Sequence, residues 1–237
     1  MKRILLLFLF FGQIFVGFSQ ELQPKDSLLN NGLLKNMFSK EKLYGFSFSN
    51  SWTKFYDFKD SSFLKPGLGL HAEFNYFFNE NMGISIQAGV QMRGTGIITP
   101  DSDKSIGNPD STGRLRHSLR SLEIPIVFHY RSTKEIIKNG RMIFGVGLVP
   151  IYHQRVLRKW FSVDDGFHTP TSYKENFDII DVPIRFTSGL DVDVAGGNLF
   201  RTSLIMDVGL KNNFKDPLDG RKSSKHFLLG IQLTFLF

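Results

Sequence analysis

Eight segments of the chain alternate apolar and polar side chains, and the last of them ends on the C-terminal Phe237. Segment 68–76, LGLHAEFNY, places leucine, alanine, phenylalanine and tyrosine on one face and glycine, histidine, glutamate and asparagine on the other. Successive side chains of a β-strand point to opposite faces, so each segment predicts a strand with one apolar and one polar face. Each also reaches the roughly 9–11 residues with which a tilted strand crosses a membrane. The predicted strands are 43–52, 67–78, 82–93, 119–130, 141–152, 179–192, 199–210 and 226–237.

The links between these segments alternate between short and long along the whole chain. The shorter links are 79–81, 132–140 and 193–198, and the longer ones are 53–66, 94–118, 153–178 and 211–225. Outer-membrane barrels have short periplasmic turns and longer outer loops, and an even strand number places both termini in the periplasm. Aromatic residues also recur at the predicted strand ends, as in the girdles of such barrels. The sequence therefore predicts an all-β, eight-stranded antiparallel transmembrane up-and-down β-barrel over residues 43–237.

The first residues have the features of a secretory signal. Lys2 and Arg3 precede an apolar run, and GFS at 17–19 supplies a small-x-small cleavage site. We expect 1–19 to be a cleaved signal peptide and 20–42 to be a periplasmic N-terminal segment. The leucines of 20–42 are compatible with a short amphipathic helix at the surface, a plug in the lumen or a flexible tether, and the sequence leaves these open.

The composition and the net charge of the chain indicate which classes of partner to expect. The chain contains no cysteine, so the fold does not rely on disulfides, and a high count of 25 phenylalanines suits rings that meet lipid. The formal charge of +7 falls to +5 when Lys2 and Arg3 are removed with the signal. Because an exported chain rarely meets nucleic acid, we expect its partners to be outer-membrane lipid and lipopolysaccharide rather than nucleic acid.

The polar face of the predicted strands carries many charged residues. An eight-stranded barrel has an interior that side chains fill, so a solute channel is not expected. Buried charges are costly unless they are paired and hydrogen-bonded. We therefore predict a structural polar network in the lumen, in which the acids pair mainly with the three arginines. Its members are Glu73, Arg93, Glu123, Asp181, Arg185, Asp191, Arg201 and Asp207.

Two strands share a local pattern. LEIPIVF at 122–128 and IDVPIRF at 180–186 each place an inward acid two positions before an inward proline. Proline removes a hydrogen-bond donor from the ladder, so each is expected to mark a bulge or a local bend.

These two segments, with FGVGL at 144–148 and GIQLTFLF at 230–237, resemble the PorT-type outer-membrane β-barrel family of Bacteroidota-like bacteria. The resemblance covers roughly residues 43–237. The resemblance implies the barrel fold. Because some relatives serve the gliding-associated (type IX) secretion system, it also implies secretion-system or other envelope proteins as partners. The last strand also resembles the signal read by the barrel-assembly machinery, with Phe235 and Phe237 as its aromatic marks.

No arrangement of nucleophile, base and acid emerges, so we expect no catalytic residue and no enzymatic activity. The candidates considered are His117 with Ser118, His129, His153, and His168 with Asp164 and Asp165. Six scattered histidines without cysteine give no metal-ligand spacing, and no glycine loop suited to phosphate is present, so no metal and no cofactor are expected.

One cationic cluster in the predicted outer loops has two interpretations. Arg155, Arg158 and Lys159 follow strand five, and Arg114, Arg116 and Arg120 surround the start of strand four. Such cations can bind lipopolysaccharide phosphates through charge-assisted hydrogen bonds, or they can belong to an ordinary solvated loop. The sequence thus favours a structural or interaction component of the envelope. A surface barrel that binds a ligand or lipopolysaccharide through its long outer loops is the alternative.

Overall fold

The computed structural model describes residues 41–56, 62–99, 113–162, 166–167, 171–172, 174–175, 177–194, 198–213 and 225–237. All of these belong to one compact unit, Met37–Phe237. The expected signal peptide 1–19 and most of the expected periplasmic segment 20–42 lie outside the described residues. Its last two residues, Glu41 and Lys42, belong to the first strand.

Thirteen strands follow one another along the described chain. They are β1 Glu41–Tyr56, β2 Ser62–Phe77, β3 Met82–Thr99, β4 Gly113–Glu123, β5 Ile126–Ile137, β6 Gly140–Leu148, β7 Ile151–Ser162, β8 Gly166–Phe167, β9 Thr171–Ser172, β10 Ile180–Asp181, β11 Ile184–Val194, β12 Asn198–Asn212 and β13 Lys225–Leu236. The part of the chain described here contains no helix long and apolar enough to cross a membrane.

The strands form one closed antiparallel ring. Three barrel strands are each split into two segments, namely β4 with β5, β6 with β7, and β10 with β11. Each barrel strand pairs with the next along the chain, and β1 pairs with β13 from Gly45 opposite Leu236 to Tyr56 opposite Lys225. Within the described ranges, the short strands β8 and β9 both pair with β7 and with no other strand. The ring thus contains eight barrel strands, which confirms the predicted all-β, eight-stranded antiparallel barrel.

The polarity of this barrel is the inverse of that of a soluble protein. On β12, Asp207 is 0% exposed whereas Leu204, which points to the other face, is 58% exposed. The same holds on β2, where Leu70 is 57% exposed and the neighbouring His71 is buried. Soluble proteins bury leucine and expose aspartate. The outer wall is therefore apolar and the lumen is polar.

Several strands extend beyond the predicted bounds toward the loop-bearing end, which we call the upper end. β1 continues to Tyr56, β3 continues to Thr99, and β7 continues to Ser162. These extensions carry Lys54, Arg158 and Lys159, so the alternation of apolar and polar residues stops although the backbone pairing continues. At the other, lower end, β5 runs to Ile137, so the predicted link 132–140 shrinks to a tight turn in which Asn139 has φ 60°.

The predicted bends lie at interruptions of the strands. The ladder breaks at 124–125 and at 182–183, and Pro125 and Pro183 are both buried. A third break at 149–150 contains Pro150. Backbone hydrogen bonds still cross the breaks, since Gln87 N donates to Pro125 O at 2.9 Å and Ile124 N donates to Pro150 O at 2.9 Å. The three interruptions thus lie on neighbouring barrel strands and leave the wall closed.

Apolar side chains close both ends of the polar lumen. At the lower end, Leu43, Phe77, Leu199 and Leu236 form a buried cluster. At the upper end, the fully buried Phe177 lies 5.9 Å from the ring of Phe55 and 5.2 Å from that of His153. Phe177 belongs to the link between β9 and β10, so this link reaches into the barrel. The charged residues lie between the two apolar layers.

Candidate functional site

Two clusters of buried charge occupy the lumen. The upper charge cluster, below Phe177, contains Arg93, Arg185, Glu123 and Asp207. Arg185 Nε donates to Asp207 Oδ1 at 2.7 Å, and Arg93 Nη2 donates to Asp207 Oδ2 at 3.0 Å and to Glu123. The two arginines therefore share the two acids, and the charges of these four side chains cancel.

Two histidines flank the upper charge cluster. His71 Nε2 lies 2.8 Å from Glu123 Oε1, and Arg93 Nη1 lies 3.1 Å from His226 Nε2. Space for the His71 ring comes from Gly89, because a Cβ there would lie 2.6 Å from His71 Cδ2 and 2.1 Å from the Leu70 carbonyl oxygen. A side chain larger than hydrogen at Gly89 would thus displace the ring that contacts Glu123.

The lower charge cluster contains Arg201, Arg131, Asp191 and Glu73. Arg201 Nε donates to Asp191 Oδ1 at 2.6 Å, and Arg201 Nη1 lies 3.3 Å from Glu73 Oε1. Arg131 Nε donates to Asp191 Oδ2 at 3.0 Å, and the Arg131 guanidinium lies 4.0 Å from the centre of the Phe77 ring. Polar side chains complete the cluster, since Gln87 and Asn75 both donate to Glu73.

The eight residues proposed from the sequence all lie in the lumen, and seven of them join these ion pairs. Asp181 is the exception, because its described partners are the side-chain amide of Asn213 at 3.3 Å and the backbone N–H of Val182 at 2.8 Å. The sequence also missed Arg131. It lies one residue beyond the predicted strand 119–130, and the extension of β5 carries it into the lumen.

The histidines make no catalytic arrangement in the described residues. His117 is buried in the lumen, whereas the next residue, Ser118, points outward, so the two cannot act as a pair. Two other serine–histidine contacts do form, Ser85 Oγ with His129 Nε2 and Ser121 Oγ with His153 Nδ1, both at 2.7 Å. The second ring nitrogen of His129 and that of His153 have no hydrogen-bond partner among these residues, so the orienting acid of a triad is missing.

The other catalytic candidates from the sequence belong to the segment between β7 and β9. His168, Asp164 and Asp165 lie outside the described residues. Within the residues that the structure describes, no group of three histidine, aspartate or glutamate side chains is placed to hold a metal ion.

The cations that the sequence placed in an outer loop after strand five have a different position in the structure. Arg155, Arg158 and Lys159 lie on the strand β7 and not in a loop. A bulge lies between the pairs Arg120–Arg155 and Ser121–His153, so β7 has one extra residue, Gln154. Beyond this bulge Arg155 and Lys159 point outward, whereas Arg158 lies opposite the lumen-facing His117. The expected trio is therefore divided between the two faces of the wall.

The C-terminal aromatic residues lie on the lower outer wall. The Phe235 ring is 6.2 Å from Phe237 and 6.1 Å from Phe46 on β1. Further ring contacts at this level join Tyr76 to Phe78 at 5.5 Å and Phe78 to Phe128 at 6.3 Å. An aromatic belt thus follows the lower rim across neighbouring strands.

No family model and no curated protein matches this chain. Among solved structures, Neisserial surface protein A is 8% identical, with 83% of this chain and 97% of that chain covered and a TM-score of 0.43. The outer membrane protein OprG of Pseudomonas aeruginosa is 12% identical, with 84% and 96% covered and a TM-score of 0.42. The attachment invasion locus protein Ail of Yersinia pestis, solved with the heparin analogue sucrose octasulfate, is 12% identical, with 83% and 99% covered and a TM-score of 0.37. The fold assignment rests on the strand pairings of the chain itself.

Proposed function

We propose that this chain is an integral outer-membrane β-barrel without enzymatic activity that acts as a structural or interaction component of the envelope. The observation that carries the proposal is the inverted polarity of the closed ring. Leucines such as Leu204 are exposed on the outer wall, whereas arginines such as Arg93 and Arg185 are fully buried. Burial of apolar surface in lipid stabilises such a wall, and a closed ring leaves no strand edge unpaired.

A solubility experiment tests the location. The mature chain is expected to fractionate with outer membranes and to remain monodisperse after purification only in detergent or lipid. If it stays monodisperse in buffer without detergent, the outer wall does not face lipid and the proposal fails. Protease treatment of intact cells adds a second readout, because the segments between β3 and β4 and between β12 and β13 are expected to be cleaved at the cell surface.

The packed lumen supports an interaction role over transport or catalysis. Ion pairs occupy the middle of the barrel, and the apolar clusters of Phe77 and of Phe177 close its two ends. The buried serine–histidine contacts are enclosed in this interior and lack an orienting acid. The surfaces left for partners are the outer segments, the outer wall and the N-terminal segment.

A subunit of a type IX-like secretion system is the sharpest form of this proposal. Its support is the resemblance of LEIPI at 122–126, DVPI at 181–184 and the last strand to PorT-type barrels. Deletion of the chromosomal gene is expected to block export of the proteins that such a system secretes. Purification in mild detergent is expected to recover other envelope proteins with the barrel. Normal export in the deletion strain would remove the secretion role and leave the membrane location standing.

A surface barrel that binds a ligand or lipopolysaccharide is the second candidate function, and the outward cations Arg155 and Lys159 favour it. Shortening the segments 100–112 and 163–170, combined with R155Q/K159Q on the strand β7, distinguishes the two candidates. Lost surface binding with normal export indicates a receptor, whereas blocked export with normal binding indicates a subunit of the secretion machine.

A further inference from the structure

A patch of uncompensated positive charge lies on the outer wall at its upper end. β4 and β7 are hydrogen-bonded neighbours in which Arg116 lies opposite Lys159 and Arg120 lies opposite Arg155. All four side chains point to the outer face, because the residues between them, His117 and Leu119, are buried in the lumen. Arg116 and Arg120 are four residues apart on β4, as are Arg155 and Lys159 on β7, so the four cations form a rectangle about 13 Å long and about 5 Å wide.

Lys65 of β2 adds a fifth cation to this patch. A bulge lies between the pairs Leu64–Thr95 and Gly69–Gln91, and Lys65 lies within it. From there the side chain crosses the outer face of Gly94, and Nζ donates to the hydroxyl of Ser118 and to the His117 carbonyl oxygen, the latter at 3.3 Å. Ser118 lies between Arg116 and Arg120 on β4, so the ammonium group is held at the middle of the patch.

No carboxylate balances these charges. Among the described residues, none of the five cations Lys65, Arg116, Arg120, Arg155 and Lys159 takes part in a salt bridge. The arginines of the two lumen charge clusters, in contrast, are all paired with carboxylates. Like charges placed opposite each other on a sheet are destabilising. The pairs Arg116–Lys159 and Arg120–Arg155 therefore repel each other unless an anion lies between them.

The exposed apolar side chains next to the patch indicate what kind of anion it fits. Directly below the pair Arg120–Arg155, the next outward pair is Leu122–Tyr152, and both side chains are exposed. Met92 lies opposite Arg120 and is 57% exposed. Cations above and apolar side chains below match a molecule that carries phosphate at the head and acyl chains beneath it. A soluble anion has no apolar part that could contact Met92, Leu122 and Tyr152.

We propose that the outer faces of β2, β3, β4 and β7 form a binding site for a phosphorylated lipid of the outer leaflet. Lys65, Arg116, Arg120, Arg155 and Lys159 hold its phosphates, and Met92, Leu122 and Tyr152 contact its acyl chains. Arginine donates two parallel hydrogen bonds to phosphate, so the three arginines supply directional contacts and the lysines supply charge. The site rests on the membrane location proposed above and assigns a lipid class to the outer wall.

The test measures lipid binding by the purified full barrel in detergent. The variant R116Q/R155Q/K159Q removes three outward cations, and the matched control K134Q/K138Q removes two exposed cations at the opposite end of the barrel. The probe is lipid A carrying both phosphates, and the comparison ligands are dephosphorylated lipid A, phosphatidylethanolamine and inorganic phosphate. The β-sheet circular dichroism of each variant establishes that the barrel is folded.

The expected result is tight binding of phosphorylated lipid A that weakens by about tenfold for each lost charge-assisted contact in the triple variant and is unchanged in the control. Equal affinity for dephosphorylated lipid A, or equal affinity of triple variant and wild type, overturns the site. Inorganic phosphate that binds as tightly as the lipid overturns the lipid assignment. A barrel that needs detergent yet binds no phosphorylated lipid refutes this inference alone, because the membrane location is tested separately by the detergent requirement.

Discussion

Asp191 lies between two buried guanidinium groups and accepts from both. Replacing it by alanine leaves Arg201 and Arg131 in the lumen without this acid, and removal of one partner of a buried ion pair costs about 3–5 kcal/mol. Asp193, two residues further on β11, is exposed, and its carboxylate lies 3.8 Å from Arg141. D193A is therefore expected to cost less than about 1 kcal/mol. Urea unfolding in lipid vesicles, followed by tryptophan fluorescence, measures both changes. Equal effects of the two variants would contradict a stabilising role for the lower charge cluster.

Lys65 lies above the apolar part of the wall, and its environment disfavours its charge. Burial, with the nearby Lys159 and Arg116, lowers the pKa of its amine to about 8. The amine is therefore charged at pH 7 and largely neutral at pH 9. We expect binding of phosphorylated lipid A to weaken between these values. K65R keeps its charge throughout, so the ratio of wild-type to K65R affinity falls as pH rises. Comparison at each pH cancels the titration of the lipid phosphates, and a constant ratio would show that Lys65 does not contact the lipid.

Whether a side chain faces the lumen or the outside was predictable where apolar and polar residues alternate without interruption. It was not predictable beyond a bulge, which reverses the alternation. Glu73, Arg93 and Asp207 follow the alternation of their strands, so the sequence places them in the lumen. Arg158 cannot be placed in this way, because the extra residue Gln154 reverses the alternation beyond it. A bulge is decided by the backbone of two strands together and leaves little trace in the sequence of one.

At the scale of elements, the predicted strands end where lipid contact would end. β1 and β7 continue upward through Lys54 and Lys159, which occupy outward positions that are no longer apolar. Hydrogen bonding between backbones continues there without an apolar stripe. Alternation reports burial on one face, so it detects the apolar part of a strand and misses its polar extension.

The last strand supports a prediction about assembly. Phe237 N donates to Tyr44 O at 2.8 Å, and Tyr44 N donates to Phe237 O at 3.0 Å. F237A keeps both backbone bonds and removes only the ring that contacts Phe235. If the assembly machinery reads the terminal ring, F237A is expected to lower the amount of barrel in the outer membrane severalfold while its stability after refolding changes little. Quantitative blotting of membranes and urea unfolding measure the two quantities. F227A, an outward ring near the other end of β13, is the control and should assemble normally.

At the scale of the whole molecule, several barriers in series close the lumen. Phe177 closes the upper end, and the upper charge cluster lies beneath it. F177A is expected to cost about 3–5 kcal/mol of stability, because it empties a fully buried site. It is nevertheless expected to give no steady current in planar bilayers, since the ion pairs remain. Current through F177A but not through wild type would identify Phe177 as the principal seal. Current through the wild-type barrel would contradict the packed lumen.

The eight-stranded ring was the easiest part of the molecule to predict from the sequence. The contacts that close the two ends of the lumen were the hardest. Strand number and order follow from local patterns repeated along the chain. The contact of Phe177 with Phe55 joins the link between β9 and β10 to the strand β1, and nothing in either local sequence indicates the other. The pairing of Asp181 with Asn213 was missed for the same reason.

The seam between β1 and β13 joins Gly45 to Leu236, residues that nearly the full length of the chain separates. Contacts this distant form slowly, and they cannot form at all until the final residues have been synthesised and delivered. Until then β1 and β13 each have an edge of unpaired amide and carbonyl groups, which can pair with other chains. A chain of this topology that is delivered to a membrane is therefore expected to travel open, with its first and last strands shielded from other chains until the seam can close.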